Sequence, residues 1–255
     1  MPRVVAVIPC RWGSTRFPGK PLAPLGGMPL MWHVHQRCQQ AQRIDEAVIA
    51  TDDERIVVAC AQLDIPHRMT GEHRTGTDRV AECAERIDAD IIVNVQGDEP
   101  FVSPTAIDAV ATTLLTSAAP LPAVANAYTE IEQPAAVVDH NAVKVTLRRD
   151  GTALSFSRQP IPYPKGVHPA YLRQLGLYAF TAESLRTFTA LRPGPLEQAE
   201  GIEMLRFVEH SHSVAMVRVE DEGIAVDTPA DLERAASLVA ARTGTPDLPA
   251  VRPPR

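Results

Sequence analysis

Between residues 11 and 22 the chain reads Arg-Trp-Gly-Ser-Thr-Arg-Phe-Pro-Gly-Lys-Pro-Leu, so three cations, two hydroxyls and two glycines share one short loop. The loop directly follows an apolar run, Val4-Val5-Ala6-Val7-Ile8, of the kind that forms a strand buried on both faces. Such residues are suited to holding phosphates. Glycine lets the backbone approach closely, amides and the hydroxyls of Ser14 and Thr15 donate hydrogen bonds, and Arg11, Arg16 and Lys20 balance an anion's charge. The loop is not a Walker A sequence, because five residues separate Gly13 from Gly19 and Pro21 stands where a Ser or Thr would hold magnesium. It contains no G-x-G-x-x-G either. A solvated basic turn is the competing account. Three cations immediately after a buried strand, in a chain of net charge -6, favour the anion site.

Two carboxylates stand out beside this loop. Asp98 ends Gln96-Gly97-Asp98 directly after the apolar run Ile91-Ile92-Val93-Asn94-Val95, where a strand end would hold it rigidly. Magnesium takes one or two protein carboxylates together with phosphate oxygens and water. Asp227 lies between Gly223-Ile224-Ala225-Val226 and a helix opened by Thr228-Pro229. For Asp227 two accounts are equally open on chemistry alone, a magnesium ligand or an acidic residue favoured by a helix N-terminus.

The elements that must position these groups alternate as in an α/β protein with a mostly parallel sheet flanked by helices. Strands are expected at residues 4–8, 47–50, 67–69 and 91–95, and helices at 30–41, 54–63 and through Ala81, Ala84 and Ile87. In such a sheet, ligands bind beyond the carboxyl ends of the strands. The loops at 10–22, Thr51-Asp52, Gly76 and Gln96-Asp98 therefore converge on one edge, as a nucleotide site requires. The second half is less regular, with β-like segments at 142–147, 153–157, 172–180 and 214–219 and helices at 182–191, 197–208 and 229–241. Asp150-Gly151 is a hairpin signal. The reading is one domain over residues 1–243 with a β-rich insertion in its second half, followed by a proline-rich tail from Gly244 expected to be poorly ordered.

Composition narrows the function classes. A chain of 255 residues that is 45% hydrophobic can bury a large core, and its apolar runs are too short to span a membrane. With no cleavable apolar leader, a cytoplasmic location is expected. An isoelectric point near 5.8 disfavours nucleic acid as a partner. Cys10, Cys38, Cys60 and Cys83 are far apart with no C-x-x-C, which points to reduced core thiols rather than a zinc site or redox pair.

The segments P-C-R-W-G-S-T-R-F-P-G-K-P-L (9–22), A-T-D (50–52), T-G-T-D-R (75–79), N-V-Q-G-D-E-P (94–100), N-A-V-K (141–144), F-S-R (156–158), L-G-L-Y (175–178), P-L-E-Q (195–198) and V-D-T-P-A-D-L-E (226–233) occur in that order. Together, over about residues 3–240, they resemble the CMP-Kdo synthetases, the 3-deoxy-manno-octulosonate cytidylyltransferases. The resemblance implies a Rossmann-like fold of the nucleotide-diphospho-sugar transferase type. It also implies CTP-dependent transfer of CMP to an anionic acceptor with release of pyrophosphate. By matching position, Arg11, Ser14, Lys20, Thr75, Gly76 and Gln96 would bind CTP, and Asp98 and Asp227 would hold Mg2+. Lys20 and Arg16 would join those carboxylates in catalysis. Arg158, Gln174, Tyr178, Glu203 and Arg206 would face the acceptor, and the hairpin region resembles the part through which the family forms homodimers.

Two positions depart from the family. Gln174 stands where His is usual before Leu-Gly, and Met204 stands where Gln is usual before Leu-Arg. A thioether is a weak acceptor, so a sugar hydroxyl facing Met204 would lose ~1–3 kcal/mol. Arg158, Arg173 and Arg206 remain to receive a carboxylate or phosphonate. On these grounds a Kdo-type 2-keto sugar acid and a small phosphonate such as phosphonoformate are equally open as acceptors. A metal-dependent glycosyltransferase, for which a D-x-D would be expected, and a non-catalytic nucleotide-binding protein are the competing classes.

Overall fold

The structure is a computed structural model that describes residues 2–13, 16–118, 122–220 and 224–243. Its elements run in chain order from β1 (Val4–Cys10), through a single 3-10 turn at Lys20–Leu22 and the two-residue strands β2 (Pro24–Leu25) and β3 (Met28–Pro29), to α1 (Leu30–Gln40). Then come β4 (Glu46–Thr51), α2 (Glu54–Gln62), β5 (His67–Met69), α3 (Gly76–Ala84), β6 (Ile91–Val95), α4 (Pro104–Thr116) and β7 (Val124–Glu130). After α5 (Pro134–Val138) the chain forms the hairpin β8 (Lys144–Leu147) and β9 (Ala153–Ser157), then β10 (Leu172–Thr181) and α6 (Ala182–Ala190). It ends with α7 (Pro195–Glu200), α8 (Leu205–Glu209), β11 (Val214–Arg218) and α9 (Pro229–Thr243).

β1 has almost no wet surface, and a strand of that kind belongs at the centre of a sheet covered on both sides. It pairs in parallel with β4 on one edge and β6 on the other. The sheet order is β11-β7-β10-β6-β1-β4-β5, with β10 antiparallel to both β6 and β7. Alternate residues of β1 enter two different cores, as the period of two dictates. Val4, Ala6 and Ile8 pack beneath α1, α2 and α4, whereas Val5 and Val7 pack beneath α3, α6 and α8. A third cluster, built from Leu25, Leu30, Phe101, Val226 and Ala235, seats α9 against the turn that follows the 11–22 loop.

The expected mostly parallel α/β architecture is the one found, with three corrections. The expected elements include none between residues 101 and 141, yet α4, β7 and α5 lie there, and β7 is an interior strand. The expected helix 197–208 is two short helices, because Gly201 at φ +63° caps α7 and turns the chain. The second half is also less of an insertion than expected. β10 and β11 complete the main sheet, leaving the β8–β9 hairpin on its flank. Among the described residues no helix is long and apolar enough to cross a membrane. The tail from Gly244 lies outside the described residues. All four cysteines are buried thiols, and burial pushes Cys38 up to about 12 and Cys60 and Cys83 to about 11.

Candidate active site

The carboxyl ends of β1 and β6 open into a cleft of two adjoining lobes. The first, about 980 Å³, is lined by the 11–22 loop, residues 73–76 and the Gln96-Gly97-Asp98 turn. The second, about 720 Å³, is lined by Arg158, Gln174, Tyr178 and the 139–143 loop. Arg16, Gln96, Asp98, Gly201, Glu203 and Asp227 belong to both lobes, so the two lobes meet at these residues.

At that junction Lys20 Nζ donates to Asp98 Oδ2 at 2.7 Å and to Asp227 Oδ1 at 3.3 Å, and Arg16 Nη2 lies 3.2 Å from Asp227 Oδ1. Residues far apart in sequence are thus gathered on one cationic point by β1, β6 and the segment before α9. Gly97 makes the turn possible, since a Cβ there would stand 2.8 Å from the Pro9 carbonyl oxygen and 2.9 Å from Cys10 Sγ. Asp98 also reaches the far segment through its backbone, whose carbonyl accepts from Val226 N at 2.8 Å.

The two accounts of Asp227 separate here. The start of α9 is capped by a reciprocal box in which Asp231 Oδ2 accepts from Thr228 N at 2.9 Å and Thr228 Oγ1 accepts from Asp231 N at 3.3 Å. The Asp227 carboxylate is therefore not spent on the cap and turns to Lys20 and Arg16 instead. Two hard oxygen donors already sharing one cation suit magnesium in the presence of phosphate. Among the described residues there is no cluster of three or more His, Cys, Asp or Glu side chains, so a metal here would rely on phosphate and water for its remaining ligands.

The nucleotide-side expectations fall together in the first lobe: Arg11, Lys20, Thr75, Gly76 and Gln96 all line it. Ser14 lies outside the described residues. Thr75 caps α3 by accepting from Asp78 N at 3.1 Å, which turns the first amides of that helix toward the lobe. Gln96 Nε2 donates to Asn94 Oδ1 at 3.1 Å, and the fully buried Asn94 in turn donates to Thr77 Oγ1 at 3.2 Å. That relay explains why a polar residue is tolerated inside β6.

The acceptor-side expectations divide. Gln174 lines the second lobe and donates to Asn126 Oδ1 at 2.9 Å. Tyr178 and Glu203 line it too, and burial pushes both acids up, with nearby carboxylates adding to the effect. Glu203 Oε2 is buried with no hydrogen-bond partner, and a neutral carboxyl there can donate as well as accept. Arg158 lines the lobe while donating to the carbonyls of Glu200 at 2.7 Å and His140 at 2.9 Å.

Arg206 is not the free anion receptor that the sequence suggested. It is 4% exposed, forked onto Glu197 at 2.9 and 2.6 Å, and stacked 3.9 Å above the Phe188 ring. It borders the first lobe, not the second. Met204 does not face the acceptor. It is fully buried in the core that includes Phe156, Phe180 and Phe207, and lines neither lobe. A side chain on the inner face of the α7–α8 turn cannot desolvate a sugar hydroxyl.

The sequence assigns no role to Asn94 or Glu197, and places His73 and Thr77 only within a 71–77 loop whose backbone and small polar groups can read a pyrimidine. Asn94 inside an apolar run was the one visible signal, because a buried amide needs partners.

Comparison with known proteins is consistent with this geometry. The family model described as cytidylyltransferase matches residues 5–216. A 3-deoxy-manno-octulosonate cytidylyltransferase of Anaeromyxobacter dehalogenans (strain 2CP-C) is 46% identical over 251 residues, covering 94% of this chain and 99% of the relative. One of the same name from Solibacter usitatus (strain Ellin6076) is 42% identical, with 93% and 95% covered. The solved structure of CMP:2-keto-3-deoxy-manno-octonic acid synthetase complexed with CTP superposes with a TM-score of 0.89 at 37% identity, covering 94% of this chain and 99% of that one.

Proposed function

The chain belongs to the 3-deoxy-manno-octulosonate cytidylyltransferase family of nucleotidyltransferases, and on that premise we propose that it transfers CMP from CTP to a Kdo-type 2-keto-3-deoxy sugar acid. The observation that carries the reading is the pair of lobes meeting at Lys20, Asp98 and Asp227. The first lobe takes the nucleotide, with Arg11, Arg16 and Lys20 beside its phosphates. The second takes the sugar acid. An acceptor hydroxyl oxygen then attacks the α-phosphorus, the bond from that phosphorus to the bridging oxygen breaks, pyrophosphate leaves, and the hydroxyl proton passes to solvent.

Asp98 and Asp227 would hold Mg2+. When bound, the ion would neutralise developing phosphate charge and acidify the attacking hydroxyl. Lys20 and Arg16 supply fixed positive charge at the same junction, where charge spreads over the phosphate oxygens during in-line displacement. Glu203, its free oxygen buried between the lobes, would orient an acceptor hydroxyl.

The sugar acid is favoured over a small phosphonate for two reasons. The loss attributed to Met204 does not arise, and a lobe of about 720 Å³ lined by amide, phenol and carboxyl groups suits a polyhydroxylated ligand. Membership of an enzyme family and the paired lobes leave nothing in favour of a non-catalytic binding protein or a glycosyltransferase. The reading extends to a cytoplasmic homodimer. Leu154 of β9, Val138 at the end of α5 and Tyr163 and Val167 in the segment between β9 and β10 are large apolar side chains left exposed, which supports an interface in this part of the chain.

Pyrophosphate release with each nucleoside triphosphate, Mg2+ and a panel of acids tests the reaction. The expected result is turnover of Kdo, with CTP used in preference to ATP, GTP and UTP. Efficient use of phosphonoformate with no turnover of Kdo would overturn the acceptor, and equal turnover of all four nucleotides would overturn the donor. A monomer in sedimentation at micromolar concentration would overturn the assembly.

A further inference from the structure

We propose that Arg79 and Glu82, two side chains of α3, are the positioning pair that shapes the 70–75 loop so that the first lobe can discriminate between nucleotide bases. His73, Arg74 and Thr75 of this loop line the lobe, yet the loop has no regular structure of its own. Its backbone groups must therefore be held from outside.

The Gly71 peptide groups are gripped from both sides. Glu82 Oε2 accepts from Gly71 N at 2.9 Å, and Arg79 Nη1 donates to Gly71 O at 3.3 Å. The same carboxylate oxygen meets His73 Nε2 at 2.5 Å, and the same guanidinium nitrogen donates to Thr70 Oγ1 at 2.6 Å. Arg79 Nη2 also donates to Asp52 Oδ2 at 2.6 Å, which ties the loop to the end of β4. The other end is fixed where Thr75 caps α3. One helix thus closes the loop onto itself.

The two residues differ in burial. Arg79 is 2% exposed and compensated by Asp52, whereas Glu82 is partly exposed and does not line the lobe. Glu82 acts only through the loop. Cytosine and uracil differ by an amine in place of a carbonyl, so telling them apart needs donors and acceptors held in fixed places. A displacement on the order of 1 Å in a positioning group suffices to lose such discrimination.

The inference rests on the first lobe being the CTP site. The test is Glu82→Ala, which removes both contacts at a helix position where alanine is well tolerated, with Arg79→Lys as a second variant and Glu85→Ala, at an exposed site next to the end of α3, as control. Pyrophosphate release is followed with CTP and with UTP at saturating acceptor, and thermal unfolding is recorded for each protein. Expected is an increase in KM for CTP of about tenfold and a similar fall in the CTP-to-UTP ratio of kcat/KM. The acceptor KM and the control variant should stay within about twofold of wild type. Lower stability in Glu82→Ala with an unchanged KM and ratio would show a merely structural role and overturn the inference. Wild-type protein that releases no pyrophosphate from CTP would overturn the proposed function with it; normal wild-type turnover beside an unchanged ratio overturns this inference alone.

Discussion

Asp227→Asn keeps the shape of the junction and removes one charge. In the structure that charge faces Lys20 Nζ at 3.3 Å and Arg16 Nη2 at 3.2 Å, while Asp98 holds the same ammonium at 2.7 Å. At this separation and an effective dielectric constant of about 20, one such pair is worth about 5 kcal/mol before desolvation is subtracted. The Asp227 side chain is 37% exposed, so little of this reaches folding stability, at most about 1 kcal/mol, or a melting shift of roughly 2–4 °C. In the proposed reaction catalysis is affected more, because the junction is where charge would accumulate in the transition state. Losing one electrostatic contact of that kind costs about 2.7–4 kcal/mol, or ~10²–10³-fold in turnover. Pyrophosphate release at saturating CTP and acceptor, beside a thermal melt, measures both quantities. Asp98→Asn should behave alike. Full turnover by Asp227→Asn would refute the reasoning, and so would an activity loss explained by a collapsed melting temperature.

Three other perturbations follow from the same geometry. Met204→Gln restores the side chain usual in the family but buries an amide among aromatic rings, so denaturant unfolding should show a loss of ~1–3 kcal/mol while kcat/KM for the acceptor stays within about twofold; a large gain in Kdo turnover would place Met204 back in the site. Gly19 sits at φ +72°, where an added Cβ would also meet the Trp12 ring at 2.9 Å, so Gly19→Ala should raise KM for CTP and lower stability together, and a silent Gly19→Ala would show that the phosphate loop is not held this way. His35 is 2% exposed, and burial holds its pKa below the usual 6.5. The unfolded chain therefore binds the extra proton first, and the stability linked to neutral His35 is present above about pH 6.5 and lost as pH falls below it. Urea titrations at pH 7.5 and 5.5 should show a smaller drop in His35→Leu than in wild type, and parallel drops would exclude His35 as a cause.

Some of this architecture could be read locally. β1, β4 and β6 are continuous apolar runs or nearly so, and α1 and α2 carry apolar residues at helical spacing, so they were placed to within a few residues. α4 carries comparable signals, with Ser103-Pro104 ahead of buried Ala106, Ile107, Val110, Ala111 and Leu114, so it too is legible in the sequence. The break between α7 and α8 was visible only as Gly201, whose left-handed turn depends on where the chain must go next.

The same division runs through the site. The order of the motifs was enough to suggest the chemistry proposed for the first lobe, because a loop that holds phosphates is a contiguous segment whose residue types can be read without knowing what lies across the fold. Asp98 was likewise legible as a carboxylate at a strand end. The fates of Asp227, Arg206 and Met204 were not, since each depends on what lies across the fold. Thr228 and Asp231 free Asp227 from capping α9, Glu197 and Phe188 occupy Arg206, and the core beneath α3, α6 and α8 takes in Met204. Residue types determine which interactions a side chain can make. Only the folded chain decides which partner reaches it first, because burial removes water as an alternative and leaves each polar group to whatever the packing brings within a few ångströms.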